Sequence, residues 1–399
     1  MHGLFVISTM SDGGAQRVMS NLLMGLPESW RIDLLLNDDG PRDYPCRGRI
    51  ISLGMQEEKN KQQVGYQFKV LIRRLWKLKE LKRTEKYDFC VSFMDSANIA
   101  NVLTPYGKTK SILSERIYLS EACSHSATYR YLTGSMVRLL YNRADMIIAV
   151  SQLVKSDLVQ HFHVHDGLCR VVYNGVYLFS GAKPKREDQD FVITTMGRLE
   201  EQKGQWHLIR VVALLAPKYP QLRLVILGEG SLHEKLENLA VRLGVEDRVS
   251  LPGFINQPSD VIASSDLFVF PSLYEGFANT LIEAMSCGVP VISSDHLSGA
   301  REILAPDTDI EKRIDEGIEW AEYGCLVPVS RIPIEEACNM ECADDGEKSL
   351  YQAIERMILD KDLRAEYGKK AAARALDFSA DKMVQGWMKA LYQVCEKKA

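Results

Sequence analysis

The sequence lacks long apolar runs and paired cysteines. The sequence has 399 residues, and no apolar stretch in it approaches the roughly 20 residues of a membrane-spanning helix. The N-terminal segment has no basic region before its short apolar run, so we expect no signal peptide. The nine cysteines are scattered, and the closest pair, Cys338 and Cys342, predicts reduced thiols of a cytosolic protein.

An excess of positive charge and the common nucleotide-binding fingerprints are also missing. The formal net charge is −4, which argues against a dedicated nucleic-acid-binding protein. Neither a G-x-G-x-x-G motif nor a P-loop occurs, so the sequence does not argue for NAD binding or ATP hydrolysis. The composition, with 46% apolar and 26% charged residues, is instead typical of a soluble globular protein.

The chain does contain an α/β alternation that occurs twice. Short apolar runs such as "LFVIS" and "DFCVSF" alternate with amphipathic segments in the first half, and "FVITTM" and "DLFVF" repeat the scheme in the second. Such patterns indicate parallel sheets covered on both faces. We therefore predict two doubly wound, Rossmann-like α/β domains that face each other across a cleft, with ligands outside the carboxyl ends of the strands.

Domain boundaries follow from changes in composition. We predict a first domain over residues 1–180 and a second over 191–375. The polar segment 181–190, which contains Gly and Pro, predicts a linker. The last helices, over 376–399, either pad the second domain or cross back to the first, and the sequence leaves both arrangements open.

Two turns at strand ends have the composition of anion-binding loops. Arg198 and Lys203 follow the strand that ends at Gly197, and such cations suit a diphosphate because Arg forms a planar fork and Lys adds a mobile charge. A solvated basic loop is the alternative. Gly13 and Gly14 separate the first strand from the first helix, so backbone NH groups could approach an anion there, although an ordinary tight turn is equally compatible.

A third stretch, "YEGFANTLIEAM", places one glutamate before a predicted helix and one inside it. Amides at the start of the helix, predicted at 277–280, favour a phosphate or hydroxyl groups. Glu275 could accept hydrogen bonds from a sugar, and Glu283 could bind a ribose diol. The alternative is a loop acid and a surface acid, but Glu283 lies in an apolar segment where a carboxylate needs partners.

These residues together resemble the retaining nucleotide-sugar glycosyltransferases of family four, which have the GT-B fold. The two glutamates, eight residues apart, and the motif "GRLEEQKG" carry the resemblance. It extends through "GGAQRV", "VVYNGV", "LVILGEG", "LPGF" and "SGAREIL" and covers residues 3–380.

The resemblance implies roles for the donor-site residues. Arg198 and Lys203 would hold the diphosphate of a UDP-sugar and stabilise the leaving group, Glu283 would bind the ribose, and Glu275 would lie beside the transferred sugar. The remaining donor-binding positions that it implies are Gly13, Gly14, Gly253, Phe254, Gly276, Phe277, Ala278, Asn279 and Thr280. Because two side-chain cations serve the leaving group, we expect no cofactor and no metal, and the Asp-x-Asp pairs at 188/190 and 307/309 are interpreted as solvated acids.

The resemblance also implies that a first-domain side chain, in many members a histidine, would assist catalysis. No histidine occupies the corresponding positions here, and we take Asp95 as the candidate catalytic residue. The acceptor side would include Ser114, Glu115 and Arg116. His125 is interpreted as a loop residue, and the histidines at 161, 163 and 165 as a polar surface segment rather than a metal site.

Residues 59–86 hold ten Lys or Arg against two Glu. Leucines at helical spacing predict an amphipathic helix, with Leu71, Leu75 and Leu78 beside the cations Arg73, Arg74, Lys77, Lys82 and Arg83. Such a helix suits an anionic membrane surface, and a helix packed on the first domain is the alternative. Family members that extend polyprenyl-diphosphate-linked glycans look similar here, so Arg73, Arg74 and Lys77 are assigned to the acceptor.

The sequence therefore predicts a retaining enzyme that moves a hexose or N-acetylhexosamine from a UDP-sugar to a polyprenyl-diphosphate-linked glycan in cell-surface polysaccharide synthesis. We expect it on the inner face of the cytoplasmic membrane, bound peripherally, with no nucleic-acid partner. The alternatives are a soluble or lipopolysaccharide-core acceptor, a non-catalytic nucleotide-sugar-binding subunit, or an epimerase or phosphorylase of similar architecture.

Overall fold

A computed structural model describes residues 1–11, 13–40, 42–55, 64–125, 127–181, 190–297, 299–341 and 343–396. Most of the predicted linker, Cys342, Asp188 and the first residues of the predicted basic segment lie outside these ranges. The chain forms two compact units. The first comprises Met1–Val176 and Ala380–Ala399, and the second comprises Tyr177–Ser379.

The first unit is built on a seven-stranded parallel sheet in the order β3-β2-β1-β4-β5-β6-β7. Its central strands are continuous apolar runs whose residues are buried on both faces, as parallel sheets require. The strands are β1 His2–Val6, β2 Arg31–Leu36, β3 Arg49–Ser52, β4 Phe89–Phe93, β5 Lys110–Glu115, β6 Met146–Ala149 and β7 Cys169–Val171.

Helices follow most strands of this sheet and cover its faces. They are α1 Gly14–Gly25, α2 Val64–Thr84, α3 Asp95–Val102, α4 Leu119–His125, α5 Ala127–Tyr129, α6 Ser135–Leu140 and α7 Gln152–Phe162. A π-helical turn at Arg130–Gly134 joins α5 to α6.

The second unit repeats the scheme with the sheet order β10-β9-β8-β11-β12-β14-β13, in which only the short edge strand is antiparallel. The strands are β8 Phe191–Met196, β9 Leu222–Leu227, β10 Val249–Gly253, β11 Leu267–Phe270, β12 Val291–Ser294, β13 Glu319–Trp320 and β14 Cys325–Val327. The helices are α8 Gln205–Leu215, α9 His233–Arg242, α10 Pro258–Ala263, α11 Asn279–Ser286, α12 Ala300–Leu304, α13 Asp345–Leu359 and α14 Lys361–Ala375.

The last helix, α15 (Ala380–Glu396), belongs to the first unit. It packs along α1, where Val384 lies against Gly25. Trp387 is 1% exposed, and its indole ring stacks on Phe93 of β4 with ring centroids 5.6 Å apart. Of the two arrangements that the sequence left open for this helix, the structure has the one in which the chain returns to the first unit.

Strand order fixes where each sheet can bind a ligand. The chain reverses its direction across the sheet between β1 and β4 in the first unit, and between β8 and β11 in the second. Ligands of open parallel sheets bind outside the carboxyl ends of the strands at such a reversal. The segments that follow these four strands carry Gly13, Asp95, Lys203 and Glu275.

None of the helices in the described ranges combines the length and the apolarity that crossing a bilayer requires.

Removing the Trp387 side chain tests how firmly α15 is part of the first unit. We expect Trp387→Ala to lower the free energy of unfolding by about 3–5 kcal/mol, because a large buried ring is replaced by a cavity. Lys389→Ala on the exposed face of the same helix should change it by less than about 0.5 kcal/mol. Urea denaturation followed by tryptophan fluorescence and circular dichroism measures both, and equal stability of the two variants would contradict this packing.

Candidate functional site

The loops after β8 and β11 are bonded to each other at the carboxyl edge of the second sheet. Gly204 has a φ of 61°, and a Cβ atom there would overlap the carbonyl oxygen of Pro271. The backbone NH of Leu273 donates to the carbonyl oxygen of Gln202 at 2.8 Å. Only glycine allows this approach, and it brings Lys203 beside Glu275.

Glu275 is 9% exposed and accepts hydrogen bonds from three side chains. Lys203 Nζ donates to its Oε1 atom in a close ion pair. Ser272 Oγ donates to the same oxygen at 3.0 Å, and Gln202 Nε2 donates to Oε2 at 3.3 Å. The carboxyl group of Glu275 therefore lies in a nearly closed set of hydrogen-bond donors, the kind of partners that a buried polar group needs.

Helix α11 begins four residues after Glu275. The sequence analysis started the helix at 277, but Ala278 has a ψ of 72° and lies outside it as the N-cap, so Phe277 and Ala278 precede the first turn. Ala278 offers no side-chain cap, and the amide dipoles of the first turn, with Asn279 and Thr280, point beyond the helix start. Glu283 lies one turn into the helix and is 6% exposed.

The other predicted donor-site residues lie along the same edge of the second sheet. Arg198 is exposed directly after β8. Gly253 ends β10 with a φ of 80°, and its carbonyl oxygen accepts a hydrogen bond from the NH of Gly228 at 3.0 Å. The ring of Phe254 is 62% exposed. The structure thus gathers one exposed cation, one exposed ring, the Lys203–Glu275 pair and the start of α11 at the carboxyl ends of β8, β10 and β11.

Three residues of this site were missed by the sequence analysis: Gln202, Ser272 and His296. His296 follows β12, is 1% exposed, and lies with its ring centroid 5.8 Å from that of Phe270. Burial lowers the pKa of His296, and the nearby Glu275 offsets this only in part. The imidazole is therefore neutral at neutral pH. A histidine directly after the strand "VISSD" was the available signal, because β12 pairs with β11.

The predicted anion turn of the first unit follows β1. Gly13 has a φ of 143°, a conformation that L residues other than glycine rarely adopt, and Gly14 begins α1. Asp12 lies outside the described residues. The turn thus places two glycines at the carboxyl edge of the sheet, in the position that the sequence predicted.

Asp95 opens α3 directly after a strained backbone position. Met94 has a φ of 76° without being glycine, which costs about 1–3 kcal/mol. Asp95 is half-buried, the Tyr129 hydroxyl donates to its Oδ2 atom, and Oδ1 has no partner among the described residues. Burial raises the pKa of Asp95.

Glu115 ends β5 behind Asp95 and is fully buried. Tyr141 donates its hydroxyl hydrogen to Oε2 at 2.9 Å, and the backbone NH of Arg116 donates to Oε1 at 3.0 Å. Burial, followed by the charge of Asp95, raises the pKa of Glu115 well above its usual value. Burial thus raises the pKa of both carboxyl groups, and the charge of Asp95 adds to the effect at Glu115.

The prediction that residues 114–116, at the end of β5, contact the acceptor needs a correction. Ser114 and Glu115 are 0% exposed and Arg116 is 8% exposed, because β5 is a central strand covered by helices. Arg116 turns inward, where its guanidinium donates to Ser114 Oγ at 3.2 Å and to Asn174 Oδ1. Burial lowers the pKa of Arg116 to about 9. Ser114, Glu115 and Arg116 support the edge of the sheet instead of presenting themselves to a ligand.

The prediction that the cations of α2 form one exposed basic face is also wrong in part. Arg74 is 1% exposed and donates to Asn37 Oδ1 at 2.6 Å and Ser96 Oγ at 2.7 Å. Burial lowers the pKa of Arg74 to about 10. Lys82 is 2% exposed and donates to the carbonyl oxygens of Asn101 and Thr104. Both cations lie on the side of the helix that packs against the sheet.

The opposite side of α2 carries cations and an apolar stripe that the sequence analysis did not separate. Phe68, Ile72 and Trp76, four residues apart, are 63%, 38% and 73% exposed. Arg73 and Arg83 are exposed beside them, and Lys77 is about one-third exposed. The leucines at 71, 75 and 78 pack inward, so α2 has one apolar face for the core and a second, basic and apolar face for solvent.

The described residues contain no group of three or more His, Cys, Asp or Glu placed to hold a metal ion. Asp307 and Asp309 lie in the loop after α12, where Asp309 accepts a hydrogen bond from the NH of Glu311 at 2.9 Å.

Two protein-family models match the two halves of the chain separately. The family model described as Glycosyltransferase Family 4 matches residues 12–178, and the one described as glycosyl transferases group 1 matches residues 179–311. A Campylobacter jejuni protein, N-acetylgalactosamine-N,N'-diacetylbacillosaminyl-diphospho-undecaprenol 4-alpha-N-acetylgalactosaminyltransferase, is 32% identical over 396 residues, with 98% of each chain covered. An uncharacterised glycosyltransferase of Methanocaldococcus jannaschii is 33% identical over 83% of this chain and 85% of its own length.

Solved structures agree with the fold. HepE of Anabaena, solved in complex with UDP, superposes with a TM-score of 0.72 at 20% identity, covering 98% of this chain and 100% of its own. The lipopolysaccharide outer core galactosyltransferase WaaB, in its apo form, superposes with a TM-score of 0.70 at 19% identity, covering 98% and 99%. With two Rossmann-like units, matches to both family models and relatives above 30% identity, the chain belongs to the glycosyltransferases of family 4 and has their GT-B fold.

Proposed function

We propose that the protein is a retaining glycosyltransferase that moves a hexose or N-acetylhexosamine from a UDP-sugar to a glycan on a polyprenyl diphosphate. The observation that carries the proposal is the cluster of Lys203, Glu275 and the start of α11 at the carboxyl edge of the second sheet. Two further facts support it. The C. jejuni relative is named for a diphospho-undecaprenol-linked substrate, and HepE was solved with UDP-glucose.

The donor half of the reaction is assigned to the second unit. Arg198 and Lys203 bind the diphosphate, Glu283 binds the ribose diol, and the exposed ring of Phe254 stacks on the uracil. Glu275 accepts hydrogen bonds from hydroxyls of the transferred sugar. As the bond between the sugar and the diphosphate breaks, negative charge grows on the leaving oxygen, and fixed cations and helix amides stabilise it without reorganising.

The acceptor half is assigned to the first unit. Asp95 is half-buried at the start of α3, and its carboxylate is assigned to accept the hydrogen bond that the attacking hydroxyl donates. The new bond forms on the face of the sugar that the diphosphate leaves, and a phosphate oxygen takes the hydroxyl proton. Asp95 therefore orients the nucleophile, and neither Asp95 nor Glu275 forms a covalent bond to the sugar. No metal is invoked for the leaving group.

Membrane association is assigned to the solvent-facing side of α2. An aromatic and aliphatic stripe at helical spacing, with Arg73, Lys77 and Arg83 beside it, has the composition of helices that lie in the interface of an anionic bilayer. Such contact brings the first unit to a lipid-linked acceptor at the inner face of the cytoplasmic membrane.

Replacing each of the two glutamates separates their roles. Glu283→Ala should weaken UDP binding about 10–100-fold, because it removes hydrogen bonds to a charged group. Glu275→Ala should not weaken UDP binding and should lower kcat about 100-fold or more, as expected for a contact made to the reacting sugar. Calorimetry with UDP and turnover with a panel of UDP- and GDP-sugars on a polyprenyl-linked acceptor measure both. Asp309→Ala, a solvated acid, is the control, and near-native kinetics in both glutamate variants would overturn the assignment.

Charge reversal on α2 tests the membrane contact. The triple change of Arg73, Lys77 and Arg83 to Glu should lower binding to phosphatidylglycerol vesicles at least about 100-fold, since each cation near an anionic surface contributes about 1 kcal/mol.

The matched control changes the exposed lysines 235, 361 and 369 of the second unit to Glu, which alters the net charge equally. Vesicle sedimentation measures both variants. Equal losses would mean that α2 is not a specific membrane contact, and unchanged turnover on the lipid-linked acceptor in the α2 variant would mean that the reaction does not depend on this contact.

The protonation of Glu115 predicts a pH dependence of stability. Its pKa is raised in the folded protein, so the folded state binds more protons than the unfolded state above the ordinary Glu pKa of 4.5. Stability of the wild type should therefore fall, relative to Glu115→Gln, as the pH rises from 4.5 towards 8. Urea denaturation across this range measures the difference. Glu80→Gln, an exposed change in α2, should show no such trend, and a constant difference for Glu115→Gln would refute the protonated state.

A further inference from the structure

The two residues assigned to different parts of the donor are bonded to each other. Lys203 Nζ, assigned to the diphosphate, donates to Glu275 Oε1, assigned to the sugar. The side chains are 14% and 9% exposed, so solvent screens the pair poorly. The ring of Phe270 also lies near the ammonium group, 5.6 Å from Nζ to the ring centroid. Lys203 therefore contacts both a carboxylate and an aromatic ring.

A diphosphate that approaches Lys203 also approaches the Glu275 carboxylate. Two anions that share one poorly screened cation repel each other at short range. Each phosphate contact that Lys203 gains weakens its hold on Glu275. His296 does not replace the lost cation, because burial lowers the pKa of His296 and keeps the imidazole neutral.

We propose that Lys203 exchanges partners when the donor binds, moving from Glu275 to the diphosphate, and that Gln202 and Ser272 hold the released Glu275 carboxylate in place for the sugar. This inference rests on the proposed function of the same site. It makes Glu275 a competitor of the diphosphate for Lys203, and it makes Gln202 and Ser272 positioning residues that act through Glu275.

The geometry around Glu275 supports these roles for Gln202 and Ser272. Gln202 Nε2 donates to Glu275 Oε2 at 3.3 Å and to the carbonyl oxygen of Tyr274 at 2.8 Å, so the amide is fixed at two points. Ser272 Oγ donates to Oε1 at 3.0 Å. Both donors are neutral, so a phosphate attracts them much less than it attracts the Lys203 ammonium group. A carboxylate has about four lone-pair positions, so sugar hydroxyls can take the place that Lys203 leaves.

The decisive measurement is the affinity for UDP, which contains the diphosphate but no sugar. Glu275→Gln should bind UDP about tenfold more tightly than the wild type by calorimetry, because a neutral amide competes weakly for Lys203. Glu275→Asp, whose shorter side chain withdraws the carboxylate, should change the affinity in the same direction. In a Lys203→Met background, Glu275→Gln should have no effect on UDP binding.

Glu201→Gln is the matched control. Glu201 lies in the same short turn as Lys203, and its side chain is exposed. Its removal should raise UDP affinity less than about twofold, as exposed charges contribute little. An equal gain in Glu201→Gln and Glu275→Gln would reduce the effect to general charge repulsion and overturn the exchange.

Gln202→Ala separates positioning from structure. UDP affinity should stay within about twofold of the wild type, while kcat with the preferred UDP-sugar falls about tenfold because Glu275 loses a donor that orients it. A lower UDP affinity with unchanged kcat would show that Gln202 does not act through Glu275.

Failure of the partner exchange can be distinguished from failure of the proposed function. Unchanged or weaker UDP binding in both Glu275 variants would refute the exchange while leaving the proposed function intact. Absence of UDP binding by the wild type would remove the proposed function and the exchange together. Thermal unfolding curves of each variant confirm that the compared proteins are folded.

Discussion

The pairing of β8 with β11 is the constraint on which the second unit's site depends. These strands are about 70 residues apart in the chain but are hydrogen-bonded neighbours, with Leu267 opposite Ile193. Because both run in the same direction, their following loops leave the sheet side by side. Gly204 then lets one loop pass close to the carbonyl oxygen of Pro271 in the other. A cation from the first loop and a carboxylate from the second consequently meet in one place.

The first unit has the same strand reversal but a different polar interior. Arg74 and Lys82 are buried cations whose recorded hydrogen bonds go to neutral oxygens of side chains and carbonyl groups. Asp95 and Glu115 are carboxyl groups that burial drives towards protonation. A buried charge needs compensating partners, so the packing around each of these groups must supply hydrogen-bond partners for it. The strained Met94 backbone lies next to it, as backbone strain often does beside functional residues.

The sequence predicted the architecture well because its signals are local. Apolar runs such as β4 are buried on both faces, and their alternation with helices dictates a parallel sheet. The positions of Lys203, Glu275 and Glu283 in their loops and helix were predicted for the same reason. The directions in which the side chains of α2 point were not predicted. Arg73 and Arg74 are neighbours in sequence and cations alike, yet one is exposed and the other is buried, and only packing against Asn37 and Ser96 distinguishes them.

The sequence by itself determined two α/β units, the loops that bear charge and the family to which their motifs belong. The tertiary structure decided that α15 packs on the first unit, that Gln202 and Ser272 support Glu275, and that a neutral His296 lies beside them. The physical reason is the range of the interactions. Periodicity and turn composition act over a few residues, whereas a hydrogen bond such as that from Gln202 to Glu275 joins residues 73 positions apart, and only the folded sheet brings them within reach.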